Sequence, residues 1–279
     1  MQTVLIILLI LAGLALILTG LYLFLIMPRL RKPAAGAAPL TTSHFAHRGY
    51  FTEEEKKPQN TLAAFARAAE AGYGMELDVH LTKDNRLAVI HDHHLGALCG
   101  YDGIVEDMTL EELKRLRVHN TVQTIPTLRK VLNTVNGRTP LLVETKGVNV
   151  EPLMPLVMAE LDNYNGLYCI ESFNPLHLRW LKKHRPEVLR GQLACKNGWQ
   201  KEKNLKEKLK KFASEKLLCN FLSRPDFIAY SYPDARMTSV RLNKKMGAVI
   251  AGWTIRDEEG LAESKANGVT VQIFEKIHP

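Results

Sequence analysis

Residues 75–92 read Met-Glu-Leu-Asp-Val-His-Leu-Thr-Lys-Asp-Asn-Arg-Leu-Ala-Val-Ile-His-Asp, two short apolar runs joined by little more than Lys83-Asp84-Asn85. Glu76 and Asp78 alternate with Met75, Leu77 and Val79, and a period of two marks a strand. So short a link cannot carry a parallel crossover. The two runs are therefore predicted to form a hairpin that folds over a barrel mouth and brings its two ends together. That pairing decides the strand count. Apolar runs at 44–49, 75–79, 87–91, 141–146, 167–173, 189–194, 227–232, 248–255 and 269–274 alternate with helical patterns at 61–71, 109–117, 127–135, 152–161, 175–183, 201–217, 239–246 and 258–266. Setting one partner of the hairpin aside leaves eight strands. Strand–helix alternation of this kind predicts an α/β fold, a TIM-type (β/α)8 barrel. Thr109-Leu-Glu-Glu112 has the spacing of a capping box at the start of one helix.

Ahead of the barrel, residues 4–27 run without one charged side chain. As a helix this segment is about 36 Å long, enough to cross the hydrocarbon core of a bilayer with some tilt. Met1-Gln2-Thr3 offers none of the side-chain charge expected at the start of a cleaved signal peptide, so the segment is read as an uncleaved, single-pass transmembrane helix. Arg29, Arg31 and Lys32 follow it at once. The positive-inside rule then places the C-terminal bulk in the cytoplasm. Pro33-Ala34-Ala35-Gly36-Ala37-Ala38-Pro39 reads as a tether. The organisation expected is a tail at 1–3, a membrane helix at 4–27, a basic flank and linker at 28–40, and the barrel domain at 41–279.

The 279 residues carry a formal net charge of +8, which suits partners bearing phosphate or anionic lipid. Nucleic acid is not expected, because zinc-finger spacing, an RRM-like signature and basic runs interleaved with aromatics are all missing from the sequence. Cys99, Cys169, Cys195 and Cys219 are scattered without a CxxC pair and read as free thiols. Seven lysines between 201 and 216 accompany Leu205, Leu209 and Phe212 at helical spacing. This is either a solvated helix face or a contact for anionic headgroups.

The chemistry gathers at strand ends. His47 and Arg48 close the first strand, and the C-terminal ends of barrel strands are where catalytic groups collect. Glu76 and Asp78, two residues apart, share one face, where their charges repel unless a cation lies between them. His91-Asp92 ends another strand, and Glu144 and Lys146 share a face of a third. Three carboxylates, two histidines, an arginine and a lysine suit phosphoryl chemistry. Oxygen ligands favour a hard cation such as Mg²⁺ or Ca²⁺. Arginine and lysine bind phosphate oxygens, and two histidines can divide general base from general acid.

These residues resemble the glycerophosphodiester phosphodiesterase family. The resemblance is carried in order by His47-Arg48-Gly49, Pro58-Gln59-Asn60-Thr61, Glu76-Leu77-Asp78-Val79, Thr82-Lys83-Asp84, His91-Asp92 and Glu144-Thr145-Lys146, and later by Ser172-Phe173 and Trp253-Thr254-Ile255. It implies a TIM-type barrel, a divalent cation, Mg²⁺ or Ca²⁺, and hydrolysis of glycerophosphodiesters to glycerol 3-phosphate and an alcohol. By the family mechanism, the glycerol hydroxyl of the substrate attacks phosphorus and water opens the resulting cyclic phosphate. The resemblance implies Glu76, Asp78 and Glu144 as metal ligands, His47 and His91 as the acid–base pair, and Arg48 on the phosphate. Lys146 becomes a further phosphate contact, and Trp253 either packs against the glycerol or acyl part of the substrate or is a core aromatic. Two positions depart from the family: Gln59 stands where Glu is usual, and the final strand, Val271-Gln272-Ile273-Phe274-Glu275, lacks the usual Thr-Asp ending.

The substrates expected are glycerophosphodiesters or lysophospholipids, beside a membrane. A lysophospholipase D or sphingomyelinase D-like activity is the alternative within the same chemistry. A catalytically silent, membrane-tethered scaffold is the alternative of another class. The presence of both histidines and all three carboxylates argues against silence, since unused buried charges only destabilise a fold.

Overall fold

Nine strands make a single sheet in the computed structural model, which describes residues 1–30, 38–52, 54, 56–196 and 204–279. They are β1 (Phe45–Ala46), β2 (Gly74–Leu81), β3 (Leu87–Val89), β4 (Leu141–Thr145), β5 (Tyr168–Ser172), β6 (Arg190–Ala194), β7 (Phe227–Ser231), β8 (Val249–Ile255) and β9 (Val271–Phe274). β1 pairs in parallel with both β2 and β9, which closes the sheet into an eight-stranded parallel barrel of TIM type. β3 lies outside that ring. It runs antiparallel to the end of β2, with Val79 opposite Val89 and Leu81 opposite Leu87, so residues 75–92 form the expected hairpin.

The period of two separates the two cores. Phe45, Leu142, Cys169, Leu193, Phe227, Ala229, Ala251 and Ile273 form one buried cluster; it fills the inside of the barrel. Their sequence neighbours Ala46, Val143 and Ile170 belong to another cluster, packed against the helices outside. The helices begin where short polar side chains meet apolar periodicity. Thr61, Thr127, Asn174 and Asp257 each accept a backbone N–H of the first helical turn, and Thr109 with Glu112 forms a complete capping box. The Leu205–Glu215 helix buries none of its residues, and Leu205, Leu209 and Phe212 are all exposed. Lys201 and Lys203, counted in the basic run, lie outside the described residues.

The helix Gln2–Ile26 is long and apolar enough to cross a membrane and is exposed over nearly its whole length. Its C-terminal end meets the barrel, where Ile26 is fully buried. Arg31, Lys32 and most of the 28–40 linker fall outside the described residues. The chain resumes in a short helix, Ala38–Thr42, whose Leu40 is buried against the barrel interior. All four cysteines are free, Cys169 and Cys195 buried and Cys99 and Cys219 partly exposed.

The interior leaves no room at Gly191, on β6. A Cβ there would run into the ring of Phe227, itself buried in the barrel. Gly191→Ala is expected to destabilise the fold by about 1–3 kcal/mol, the usual cost of overpacking. Pairing it with Phe227→Leu should return part of the loss, and thermal unfolding of both variants measures this.

Candidate active site

Parallel register places the acidic side chains side by side. Asp78 on β2 is opposite Glu144 on β4, and Glu144 is opposite Glu171 on β5. Residues in register on adjacent strands point the same way, so all three face inward at the C-terminal end of the barrel. Glu76 lies one layer deeper on β2. Ligand oxygens of Glu76, Asp78 and Glu144 come within 4.8 Å of one another, and all three residues are buried.

Such a cluster is costly. Burial first, then the charges of Asp78, Glu144 and Glu171, push the Glu76 carboxyl well above its ordinary range. Burial also pushes Glu144 up to about 7, with Asp78 adding to it and Lys146 opposing. At Asp78, burial works upward, but Lys146, His91 and Arg48 hold the carboxyl well below its usual value. The Lys146 ammonium bridges Asp78 Oδ1 at 2.9 Å and Glu144 Oε1 at 2.7 Å. Those two carboxylates keep it protonated, above its ordinary range, in spite of its burial. One ammonium does not neutralise four carboxylates. Glu171 is buried, and its Oε2 has no hydrogen-bond partner among the described residues. Three converging oxygen donors, with a fourth carboxylate beside them, fit a hard divalent cation.

The loop after β1 locks onto this cluster. Arg48 adopts a left-handed backbone, φ 57°, which lets its N–H donate to Glu76 Oε2 at 2.8 Å. Gly49 follows at φ +82°, where an added Cβ would lie 3.0 Å from Ala64. Both constraints favour glycine there. The Arg48 guanidinium donates to Gln59 Oε1 at 2.6 Å and stands 3.6 Å from Asp78. At the Gln59 departure, then, a neutral carbonyl oxygen still holds the arginine. Asn60 donates to Asp78 Oδ2 at 2.8 Å. The motif 58–61 is thereby a brace for the carboxylates as well as a helix start.

Each histidine is oriented by a carboxylate. His47 Nδ1 lies 2.5 Å from Glu275 Oε1, and Arg256 donates to the other oxygen of Glu275 at 2.7 Å. His91 Nδ1 lies 2.6 Å from Asp92 Oδ1. A carboxylate can only accept, so in both rings Nδ1 carries the proton and Nε2 is left as the free base. Burial lowers the pKa of both, that of His47 to about 4 despite the bond to Glu275, which raises it. Both rings are therefore neutral at pH 7. His47 Nε2 is 4.0 Å from Glu76 Oε2.

Six of the residues read from strand ends (His47, Arg48, Glu76, Asp78, Glu144 and Lys146) are thus linked by direct contacts, and His91 joins them through its charge interaction with Asp78. Trp253 is partly buried, packs edge-on against Phe173 at 5.9 Å and joins the cluster inside the barrel. Its Nε1 has no hydrogen-bond partner among the described residues. Two acidic groups were not singled out from the sequence. Glu171 is the middle of Ile170-Glu171-Ser172, where an inward carboxylate on a barrel strand was the available signal. Glu275 directly follows β9, and it places an acid where the Thr-Asp ending is missing. His80 is buried with Nδ1 2.7 Å from Glu106 and Nε2 3.2 Å from the His91 carbonyl, so it supports the His91 backbone.

A family model described as the glycerophosphoryl diester phosphodiesterase family matches residues 47–277. The chain is 37% identical over 166 residues to a glycerophosphodiester phosphodiesterase of Caldanaerobacter subterraneus subsp. tengcongensis, covering 55% of this chain and 67% of that one. Among solved structures it resembles a glycerophosphodiester phosphodiesterase from Thermotoga maritima, with a TM-score of 0.60 and 27% identity over 84% of this chain and 94% of that one. It shares its fold with an Oleispira antarctica phosphodiesterase in complex with the product sn-glycerol-3-phosphate, with a TM-score of 0.69 and 23% identity over 85% of this chain and 94% of that one.

The carboxylate cluster sets a pH dependence. The Glu144 carboxyl, at about 7 against an ordinary 4.5, binds its proton more tightly folded than unfolded. The metal-free fold therefore loses stability as pH rises from 4.5 to about 7, and a cation reverses that loss. Saturating Mg²⁺ or Ca²⁺ should raise the melting temperature more at pH 7.5 than at pH 5.5. Glu144→Gln should remove both the cation-induced rise and its pH dependence; differential scanning fluorimetry at the two pH values checks this.

Proposed function

Because the chain belongs to the glycerophosphoryl diester phosphodiesterase family, we propose that this site hydrolyses glycerophosphodiesters to glycerol 3-phosphate and an alcohol, with a divalent cation, Mg²⁺ or Ca²⁺, held by Glu76, Asp78 and Glu144. The observation that carries the reading is the buried set of three converging carboxylates beside two histidines whose Nδ1 atoms are each held by an acid. The bound cation would supply positive charge to the non-bridging phosphate oxygens as negative charge builds there. Arg48, at the rim of the same cluster, binds a further phosphate oxygen. Lys146 keeps Asp78 and Glu144 in place and adds positive charge, but its Nζ is already engaged by both. It therefore acts on phosphate through the cluster more than by direct contact.

The proton transfers fall to the histidines. In the first half-reaction one free Nε2 takes the proton of the glycerol hydroxyl as its oxygen attacks phosphorus. The second histidine, having taken up a proton, delivers it to the departing alcohol oxygen. In the second half a water opens the cyclic phosphate with the two roles exchanged, and the product is glycerol 3-phosphate. Glu275 and Asp92 fix the tautomers that make this exchange possible. Trp253 and Phe173 form an apolar wall at the mouth that packs against the glycerol backbone. The apolar helix Gln2–Ile26 serves as a single-pass membrane anchor, with the barrel on the cytoplasmic side by the basic residue Arg29 and those that follow it.

Release of choline from glycerophosphocholine, with and without EDTA, tests the activity; loss of turnover in EDTA and its return with Mg²⁺ or Ca²⁺ is expected. His47→Ala and His91→Ala should each slow turnover by about 10²- to 10⁴-fold, the usual worth of a positioned acid or base. A diester with a p-nitrophenol leaving group needs no proton on departure, so it should rescue the variant that lacks the acid and leave the other slow.

Protease added to intact cells is expected to spare the barrel and to digest it once the membrane is opened. Digestion in intact cells would place the barrel outside.

A further inference from the structure

The last turn of the N-terminal helix is held by side chains of the barrel. Helix ends leave carbonyls without partners, and here the barrel supplies donors for them. Asn220, fully buried, donates to the Ile26 carbonyl at 2.9 Å. Arg224 donates to the carbonyls of Phe24 at 2.8 Å and Met27 at 3.0 Å, and its guanidinium stacks over the Phe24 ring at 4.6 Å. A cation at a helix C-terminus also complements the helix dipole. Just beyond the helix, the Arg29 N–H donates to the Pro225 carbonyl at 2.9 Å, and its side chain reaches the Pro186 carbonyl at 3.0 Å and Asp226 at 3.2 Å.

The place of these contacts in the barrel decides what they mean. Pro186 precedes β6, and Pro225 and Asp226 immediately precede β7, so the helix is fastened at the N-terminal ends of the strands. The carboxylates and histidines stand at the C-terminal ends. A strand of five residues rises about 17 Å, and that depth of barrel separates the two. A second feature of the same end points the same way. The outer helices run antiparallel to the strands, so their last turns ring the base. Those turns carry Lys182 and Lys183, Lys244 and Lys245, and Lys265. Basic side chains gathered around the root of an apolar helix complement anionic lipid headgroups.

We infer that the helix anchors the barrel by its base, with the lysine-bearing end against an anionic bilayer surface and the mouth opening away from it, so that the site takes glycerophosphodiesters dissolved in water rather than lysophospholipids embedded in the membrane that holds the anchor. This deepens the reading of the site given above and rests on it for the chemistry. The orientation rests on the docked helix and the lysines of the base, and not on that chemistry.

The test uses the full chain in vesicles of phosphatidylcholine and phosphatidylglycerol containing a headgroup acceptor dye. A donor dye is attached through Val148→Cys, in the exposed loop after β4 at the mouth, or through Leu167→Cys, exposed just before β5 at the base. Both are made in a Cys99→Ser, Cys219→Ser background. Energy transfer to the bilayer should be at least twofold greater from 167 than from 148. Equal transfer, or more from 148, overturns the orientation, and this readout needs no enzymatic activity.

In the same vesicles, dissolved glycerophosphocholine should be hydrolysed at least 100-fold faster, per unit of kcat/KM, than long-chain lysophosphatidylcholine held in the bilayer. Rates within tenfold of each other would overturn the assignment of substrate class. Failure to hydrolyse either diester would instead sink the proposed activity, and the energy-transfer result would still decide the orientation.

Discussion

Four carboxylates inside one barrel mouth repel one another, and most of the local structure around the site answers that repulsion. Glu76, Asp78, Glu144 and Glu171 are all buried, where the charge of each raises the cost of ionising the next. Lys146 sits between Asp78 and Glu144. The Arg48 backbone N–H and guanidinium face Glu76 and Asp78, and Asn60 donates to Asp78. These partners hold the geometry without cancelling the charge. Because that charge is only partly compensated from within the chain, a divalent cation held there would stabilise the fold, and metal binding and fold stability would be linked at the same residues.

The barrel is what makes such a concentration possible. Register between parallel strands lines up Asp78, Glu144 and Glu171, and the alternation of each strand then turns all three inward at the same height. Below them the same inward positions are apolar: Phe45, Leu142, Cys169 and Ile273. The change from apolar to acidic along the inner face places the chemistry at the mouth, over an apolar floor, and Leu40 packs against that floor. The hairpin of β2 and β3 extends the wall on one side and brings His91 back toward the carboxylates borne by β2.

The same axis organises the other end of the molecule. Strands that begin at the base and end at the mouth force the outer helices to end at the base, and helix C-termini favour cations. Basic residues thus collect opposite the acidic mouth, where Asn220 and Arg224 hold the apolar helix. A polarity that starts with backbone dipoles gives the molecule one end suited to lipid headgroups and another suited to a cation and a phosphodiester.

Much of this was legible in the sequence, because it depends on periodicity and local chemistry. The period of two in Met75-Glu76-Leu77-Asp78-Val79 marks an inward pair of acids. The three-residue link at 83–85 forces a hairpin, and Thr109 with Glu112 announces a helix start. Each of these is decided within a few residues of chain. The pairing of His47 with Glu275, 228 positions apart, could not be read in that way, nor could the alignment of Glu171 beside Glu144. Both depend on closure of the ring through β1, β2 and β9 and on strand register, which are global properties. The fastening of the Ile26 carbonyl to Asn220 spans 194 positions and belongs to the same class. Composition reveals an apolar helix, but the end of the barrel that receives it is set by where buried donors meet its unpaired carbonyls. The sequence by itself determined most of the elements, the inward faces, and the set of His47, Arg48, Glu76, Asp78, His91, Glu144 and Lys146. Tertiary structure alone decided which acid orients which histidine and which end of the barrel receives the apolar helix, because those depend on contacts that exist only once the barrel has closed.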